Sequence, residues 1–139
     1  MDGSYSVIFK LCYKEYEYKP SLKAIKDFKE ATGLDMWGVL SKYMSTYLKC
    51  RAEGVPLTDM LNELAKVIDF VDSAVLFHCL AKQSSSVSID EIEDAMFHAG
   101  ILPTEADSDM SEPYPMVIYM LALDINKYHE TVRAETKKQ

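Results

Sequence analysis

At 139 residues, 48% of them hydrophobic, the chain is long enough to bury one core but too short for two, so a single domain spanning 1–139 is expected. The net charge of −7 is concentrated in residues 53–112, whose balance is −11, and this argues against a nucleic-acid partner because phosphate contacts need clustered cations. A solvated acidic face without any partner is the commoner explanation of such a stretch.

No targeting or membrane segment is expected. The start of the chain lacks the basic residues of a signal peptide, and no apolar run approaches the roughly 20 residues needed to cross a bilayer. Three widely spaced cysteines are typical of reduced thiols rather than of a disulfide framework.

Residues 1–20 predict a β-hairpin. Side chains alternate between two faces from Tyr5 to Tyr13, and this period of two is typical of a strand. Tyr16 to Tyr18 is expected to return as the second strand, ending at Pro20. A two-stranded hairpin is marginal by itself, so we expect it to lie on the helices. Its open edge could also accept a partner strand, although covering the core is the more common role.

Residues 21–100 predict the helical core, and two helices joined by a tight turn at its start are the expected nucleus. Ser21 and Asp35 are suited to N-cap positions, and Gly33 is suited to the left-handed position that ends a helix. The predicted stripe of the first helix is Leu22, Ile25, Phe28 and Ala31, and that of the second is Met36, Val39, Leu40, Tyr43, Met44, Tyr47 and Leu48.

A longer helical pattern follows, capped by Thr58 and continuing to Lys82. Capping-type residues near Asp69 leave open whether it divides into two helices. Its second half is apolar on most sides, which predicts the most buried helix. Ser88, with Glu91 three positions on, then matches a capping box that opens a helix ending at Gly100.

Residues 101–114 are rich in Asp, Ser and Pro and predict a long mobile loop. Residues 115–139 predict a last helix, with Pro115 in its first turn and an end that frays towards Gln139. The expected fold class is therefore mainly α, a compact bundle of five or six helices with a short N-terminal β-hairpin.

Patterns that would indicate catalysis or metal binding are lacking in the sequence. The histidines, His78, His98 and His129, form no HxxxH or HExxH spacing, there is no CxxC motif, and no glycine-rich phosphate loop is present. We therefore expect no catalytic residue, no cofactor, no metal site and a non-enzymatic protein, with His78 as a structural residue. A thiol-dependent enzyme using Cys50 or Cys79 remains a separate hypothesis that alkylation would test.

The segment Phe28-Lys29-Glu30-Ala31-Thr32-Gly33-Leu34-Asp35-Met36 resembles the tail assembly chaperones of long-tailed (siphovirus-type) bacteriophages. In that family Ala-Thr-Gly closes the first helix, and a polar residue then opens an apolar helix. A second likeness is Ala74 to Leu80, a small buried helix, followed by a polar turn and a capped acidic helix like Ser88 to Ala99. The likeness covers about residues 5–102, and the order of elements carries more weight than either motif.

The resemblance implies a non-enzymatic chaperone that binds the long helical tape measure protein and helps recruit subunits of the tail tube protein. The tail tube protein is expected to be reached through a longer form made by programmed ribosomal frameshifting, so this chain would be the short form. The resemblance places the protein in the host bacterial cytoplasm and not in the finished virion. Self-association is a further candidate contact, whereas nucleic acid and membrane partners are not expected.

A chaperone for a helical client needs an exposed apolar surface, and eight methionines and nine tyrosines offer large, adaptable contact area, although core filling is their commoner use. We expect alanine at Tyr43 or Met120 to weaken client binding with little loss of fold. The candidate client surface consists of Trp37, Tyr43, Met44, Tyr47, Met116 and Met120.

The alternative is a small helical adaptor or regulatory protein. A long reading frame for a tape measure protein downstream would disfavour this alternative.

Overall fold

The computed structural model describes residues 6–19, 21–101 and 112–138. The predicted fold class is confirmed, because helices make up 71% of the described residues and a short antiparallel hairpin precedes them. Most of the loop predicted at 101–114 lies outside the described residues, as does Gln139. The elements are β1 (Val7–Leu11), β2 (Lys14–Tyr18), α1 (Leu22–Thr32), α2 (Met36–Ala52), α3 (Leu57–Val67), α4 (Phe70–Ala81), α5 (Ile89–Ala99) and α6 (Tyr114–Lys138).

The hairpin turns over two residues. β1 and β2 pair antiparallel with Leu11 opposite Lys14, and Cys12 and Tyr13 between them have φ of 46° and 70°. Positive φ at both positions is the requirement of a type I′ turn, which matches the twist of the flanking strands. Tyr13 therefore lies exposed in the turn and does not continue the buried face formed by Val7, Phe9 and Leu11, whereas Tyr16 of β2 is buried.

Three predicted helix caps are confirmed. The Ser21 hydroxyl, the Asp35 carboxylate and the Ser88 hydroxyl each accept a hydrogen bond from a backbone N–H in the first turn of α1, α2 and α5. Gly33 ends α1 with φ of 77°, as the sequence predicts. Local side-chain chemistry therefore sets most of the helix starts.

Glu91, the second residue of the predicted capping box, forms a hydrogen bond with a residue outside its own helix. The Glu91 carboxylate accepts a hydrogen bond from the Tyr16 hydroxyl at 3.0 Å, which ties α5 to the hairpin. Burial, reinforced by this acidic partner, raises the pKa of Tyr16 well above its usual range.

The long pattern from residue 57 to 82 divides into α3 and α4. Ile68 is extended, with φ of −154°, and the Asp69 carboxylate accepts from the backbone N–H of Asp72 at 2.8 Å to open α4. The division between α3 and α4 thus results from the Asp69 cap, which lies within the continuous apolar pattern.

The predicted cap at Thr58 is wrong. The cap position is two residues earlier, at Pro56, so α3 begins at Leu57, and the Pro56 carbonyl accepts from the backbone N–H of Met60 at 2.9 Å. Proline fixes its own φ near the helical value and so starts the helix without a side-chain cap.

Helix α4 occupies the centre of the molecule, as predicted. It contacts α1, α5 and β2, and its Leu76, Phe77 and Leu80 are fully buried. Phe77 stacks on Phe9 of β1 with ring centroids 5.4 Å apart, so the hairpin closes one side of the core. Among the described helices, none is both long and apolar enough to cross a membrane.

Helix α1 buries a narrower stripe than predicted. Ala24 and Phe28 are fully buried against the core, whereas Leu22 is 64% exposed and Ala31 is exposed. The reason is that α1 lies on the edge of the bundle, mainly against α4. Leu22 is thereby left as an apolar side chain on the surface.

Candidate functional site

An open groove runs between α2 and α6 and has a volume of about 470 Å³. Its walls are mostly apolar, with a histidine and an arginine among the α6 side chains. The residues that define this α2/α6 groove include Trp37, Leu40, Met44, Ile125, His129 and Val132.

Aromatic contacts at two places hold the helices together and fix their antiparallel direction. Tyr47 and Tyr119 pack with ring centroids 4.1 Å apart, and Trp37 contacts His129 edge-on at 5.0 Å. Between these contacts Leu40, Ser41, Met44 and Ile125 line the space between the helices without filling it. The groove is therefore the open space along the two helices between their aromatic contacts.

Trp37 and His129 also form one wall of a smaller groove of about 240 Å³ beside α1. Its other lining residues include Leu22 and Ile25 of α1 and Tyr128 of α6. The two grooves share the Trp37–His129 pair, so apolar surface continues from α6 past Trp37 to the exposed Leu22. This continuous surface is wider than the α2/α6 groove alone.

Two of the predicted client-binding residues lie in the α2/α6 groove. Trp37 is 53% exposed, and Met44 is partly buried along the groove wall. Met120 is 49% exposed but lines a different groove, of about 260 Å³, between α6 and β1 beside Ile8. Met116 is partly buried against the core. The predicted set is therefore spread over more than one surface.

Tyr43 and Tyr47 do not belong to the exposed surface. They are 2% and 7% exposed and form part of the core, and burial raises the pKa of Tyr43 well above its usual range. The expectation that alanine at Tyr43 leaves the fold intact is corrected. Truncating a large core side chain typically costs about 3 to 5 kcal/mol.

Sequence reasoning missed the α6 side of the groove. Ala122, Ile125, His129 and Val132 all line it, at spacings of three and four residues. Those spacings place the four side chains on one face of a helix, and this signal was present in the sequence. His129 interrupts the apolar pattern, which is why the stripe did not stand out.

The remaining candidates for chemistry have structural surroundings. The Nε2–H of His78 donates to the carbonyl oxygen of Val87 at 2.8 Å, which fixes the loop after α4 and confirms the predicted structural role. Burial raises the pKa of the Cys79 thiol, and this lowers the fraction of reactive thiolate. In the described ranges no three His, Cys, Asp or Glu side chains come together as a metal site.

No protein-family model, curated protein or solved structure matches this chain. The resemblance to phage tail assembly chaperones therefore stays a prediction from the sequence.

Proposed function

We propose that the chain is the short form of a bacteriophage tail assembly chaperone and that it binds a helical segment of the tape measure protein in the α2/α6 groove. The observation that carries the proposal is the half-exposed Trp37 standing over an open, apolar groove. Tryptophan and methionine are suited to such a surface because they offer large contact area and adapt to varied partners.

The shape of the groove favours a helix as the bound element. Two antiparallel helices with a depression between them present parallel rows of side chains, and an amphipathic helix docks into such a depression through side chains three and four residues apart. A long helical client would expose many such stripes before its assembly. Covering one of them would keep the client from aggregating.

The proposal includes the further steps that the family resemblance implies. Subunits of the tail tube protein are recruited around the tape measure protein through a longer, frameshifted form. The chaperone acts in the host bacterial cytoplasm and is absent from the finished virion.

The test is co-expression with the tape measure protein encoded beside this chain, followed by size-exclusion chromatography of the supernatant. The wild-type chain should keep the tape measure protein in the supernatant and co-elute with it. Trp37→Ala should abolish co-elution or weaken binding by about 10-fold or more, as expected for a central aromatic anchor. Circular dichroism should show an unchanged fold, because Trp37 is half exposed.

Phe97→Ala is the matched control. Phe97 is an aromatic side chain on α5, 75% exposed and not among the groove residues, so its removal should leave binding unchanged. Equal effects of the two variants would reject the groove as the site. If the tape measure protein aggregates with both the short and the long form, the chaperone function itself is rejected.

A helical adaptor or regulatory protein would use the same groove for another partner. The two differ in what the groove binds. Binding of an unrelated helical protein through Trp37, with none to the tape measure protein, would favour the adaptor.

A further inference from the structure

Helix α2 and the second half of α6, which border the α2/α6 groove, are basic, although the chain as a whole carries a net charge of −7. Helix α2 contains Lys42, Lys49 and Arg51 and neither Asp nor Glu. From Asn126 to Lys138, α6 contains four Lys or Arg residues and two Glu residues. Together these two segments carry a balance of +5, which sets them apart from the rest of the chain.

Arginines lie towards both ends of the seam between α2 and α6. Arg133 is exposed and lines the groove near the Trp37 end. Arg51, at the other end of α2, donates to the Tyr47 hydroxyl at 3.0 Å and lies over the Tyr47 ring. Asn126, which lines the groove, donates a hydrogen bond from its side chain to the carboxylate of Glu130 at 3.2 Å.

We infer that the segment bound in this groove is an acidic amphipathic helix, whose apolar stripe is flanked by Asp and Glu carboxylates. This inference rests on the proposed function and names the chemistry of the client segment. Opposite charge at the rim of an apolar groove speeds encounter, fixes the register of the bound helix and rejects helices with basic flanks.

A helix lying along the whole of α2 would be about four turns long. Trp37, at the end of the groove near Arg133, and Arg51 are 14 positions apart on α2. At a rise of 1.5 Å per residue this corresponds to about 21 Å, or about four turns of a bound helix. The groove itself is lined by α2 only from Trp37 to Met44, so Arg133 is the arginine at its rim and Arg51 lies beyond its other end.

The part of the helical core that forms α3, α4 and α5 disfavours the same segment. Residues 53–101 contain nine Asp or Glu residues against Lys66 and Lys82. An acidic helix is repelled by α3, α4 and α5, so it binds selectively to the α2/α6 groove.

The inference is tested with three synthetic helices of about 18 residues that contain no tryptophan and share one leucine stripe. Their flanking positions carry Glu, Gln or Lys. Trp37 is the single tryptophan of the chain and lies in the groove, so its fluorescence reports binding directly. The Glu helix should bind about 10-fold or more tighter than the Lys helix, and its advantage should shrink as salt is raised from about 50 mM to about 500 mM.

Arg133→Glu is the decisive variant, and Lys66→Glu is its control. Both side chains are exposed and both changes alter the net charge equally, but Lys66 lies on α3, where it pairs with Glu63. Arg133→Glu should reduce the preference for the Glu helix by about 3- to 10-fold, as expected for reversing a rim charge. Lys66→Glu should leave the preference unchanged.

Each outcome distinguishes this inference from the proposed function. If the Glu, Gln and Lys helices bind equally, or the Lys helix binds best, the acidic client is rejected while the groove remains a helix-binding site. If none of the helices changes the Trp37 emission, the acidic client is rejected, while co-elution of the tape measure protein with the wild-type chain but not with Trp37→Ala would still support the proposed function. If the emission changes with protein concentration alone, the occupant is a second copy of the chain and the inference is overturned.

Discussion

Ser73 places a hydroxyl group at the centre of the core. The residue is fully buried in α4, and its Oγ has no hydrogen-bond partner among the described residues. A buried hydroxyl without a partner loses its hydration and gains nothing in return. We therefore expect Ser73→Ala to raise the free energy of unfolding by about 1 kcal/mol, measured by urea denaturation.

Ser45→Ala is the control for helix propensity. Ser45 is an exposed residue within α2 whose hydroxyl donates to the carbonyl of Lys42 at 3.1 Å. Its replacement should change the free energy of unfolding by less than about 0.5 kcal/mol, because substitutions of exposed residues usually have effects no larger than this. A loss of stability in Ser73→Ala would show that the hydroxyl has a favourable partner.

The contrast between Tyr47 and Trp37 shows what sequence reasoning missed at the scale of residues. Both are aromatic residues of α2, and both were predicted to contact the client. Tyr47 is covered by Tyr119 of α6, whereas Trp37 contacts His129 only edge-on and stays half exposed. Which of two aromatic residues is covered depends on the partner helix, and a local pattern carries no information about that partner.

At the scale of elements, Asp27 joins α1 to the end of α4. Its carboxylate lies 3.3 Å from Lys82 Nζ and 3.4 Å from Lys23 Nζ, and the Gln83 side chain donates to it at 3.4 Å. Desolvation opposes ionisation of this group, but the hydrogen bonds and charges of the lysines outweigh it and lower the pKa of Asp27. The ionised carboxylate is thus the form that the folded state favours.

The pH dependence follows from this lowered pKa. Because protonation is harder in the folded than in the unfolded chain, the contribution of Asp27 is fully present above the unfolded pKa of about 3.9 and is lost as the pH falls through the lower folded value. Asp27→Asn should therefore lower the melting temperature at neutral pH. The difference from wild type should shrink below about pH 4, measured by thermal denaturation across pH.

Glu30→Gln is the control on the same helix. Glu30 is an exposed acid of α1 and does not contact the Asp27 cluster, so its removal should have a small effect at every pH. A melting-temperature difference for Asp27→Asn that persists undiminished at about pH 3 would mean that the ion pairs are not its cause.

The helix starts were the most predictable parts of the fold because they depend on neighbouring residues. Ser21, Asp35 and Ser88 cap helices through hydrogen bonds within three residues. The stripe of α1 was less predictable, since Leu22 would be buried only if a second helix covered it. Burial of an amphipathic face depends on tertiary neighbours, which the period of the sequence does not identify.

At the scale of the whole molecule, the α2/α6 groove joins two segments far apart in the chain. Helix α2 comes from the predicted nucleus and α6 from the last predicted helix, and nothing local in either predicts that they meet. The sequence shows an acidic middle segment between two basic end segments. The fold brings basic α2 beside the basic second half of α6, while the acidic balance is concentrated in residues 53–101.

The three cysteines lie in separate parts of the molecule and can report on its cooperativity. Cys12 is half-buried in the hairpin turn, Cys50 is buried near the end of α2, and Cys79 is buried in α4. Helix α2 contacts α1, α3 and α6, while α4 contacts α1, α5 and β2. All of these elements contribute to one core cluster, so α2 and α4 are expected to unfold together.

In a Cys12→Ser background, alkylation of Cys50 and Cys79 should therefore require global unfolding. Both thiols should be protected to the same degree near neutral pH, and the protection should match the free energy of unfolding measured in urea. Faster labelling of Cys50 alone would reveal that the end of α2 opens locally. Rapid labelling of native Cys79 would contradict its burial and restore the hypothesis of a thiol-dependent enzyme, because only an accessible thiolate reacts at that rate.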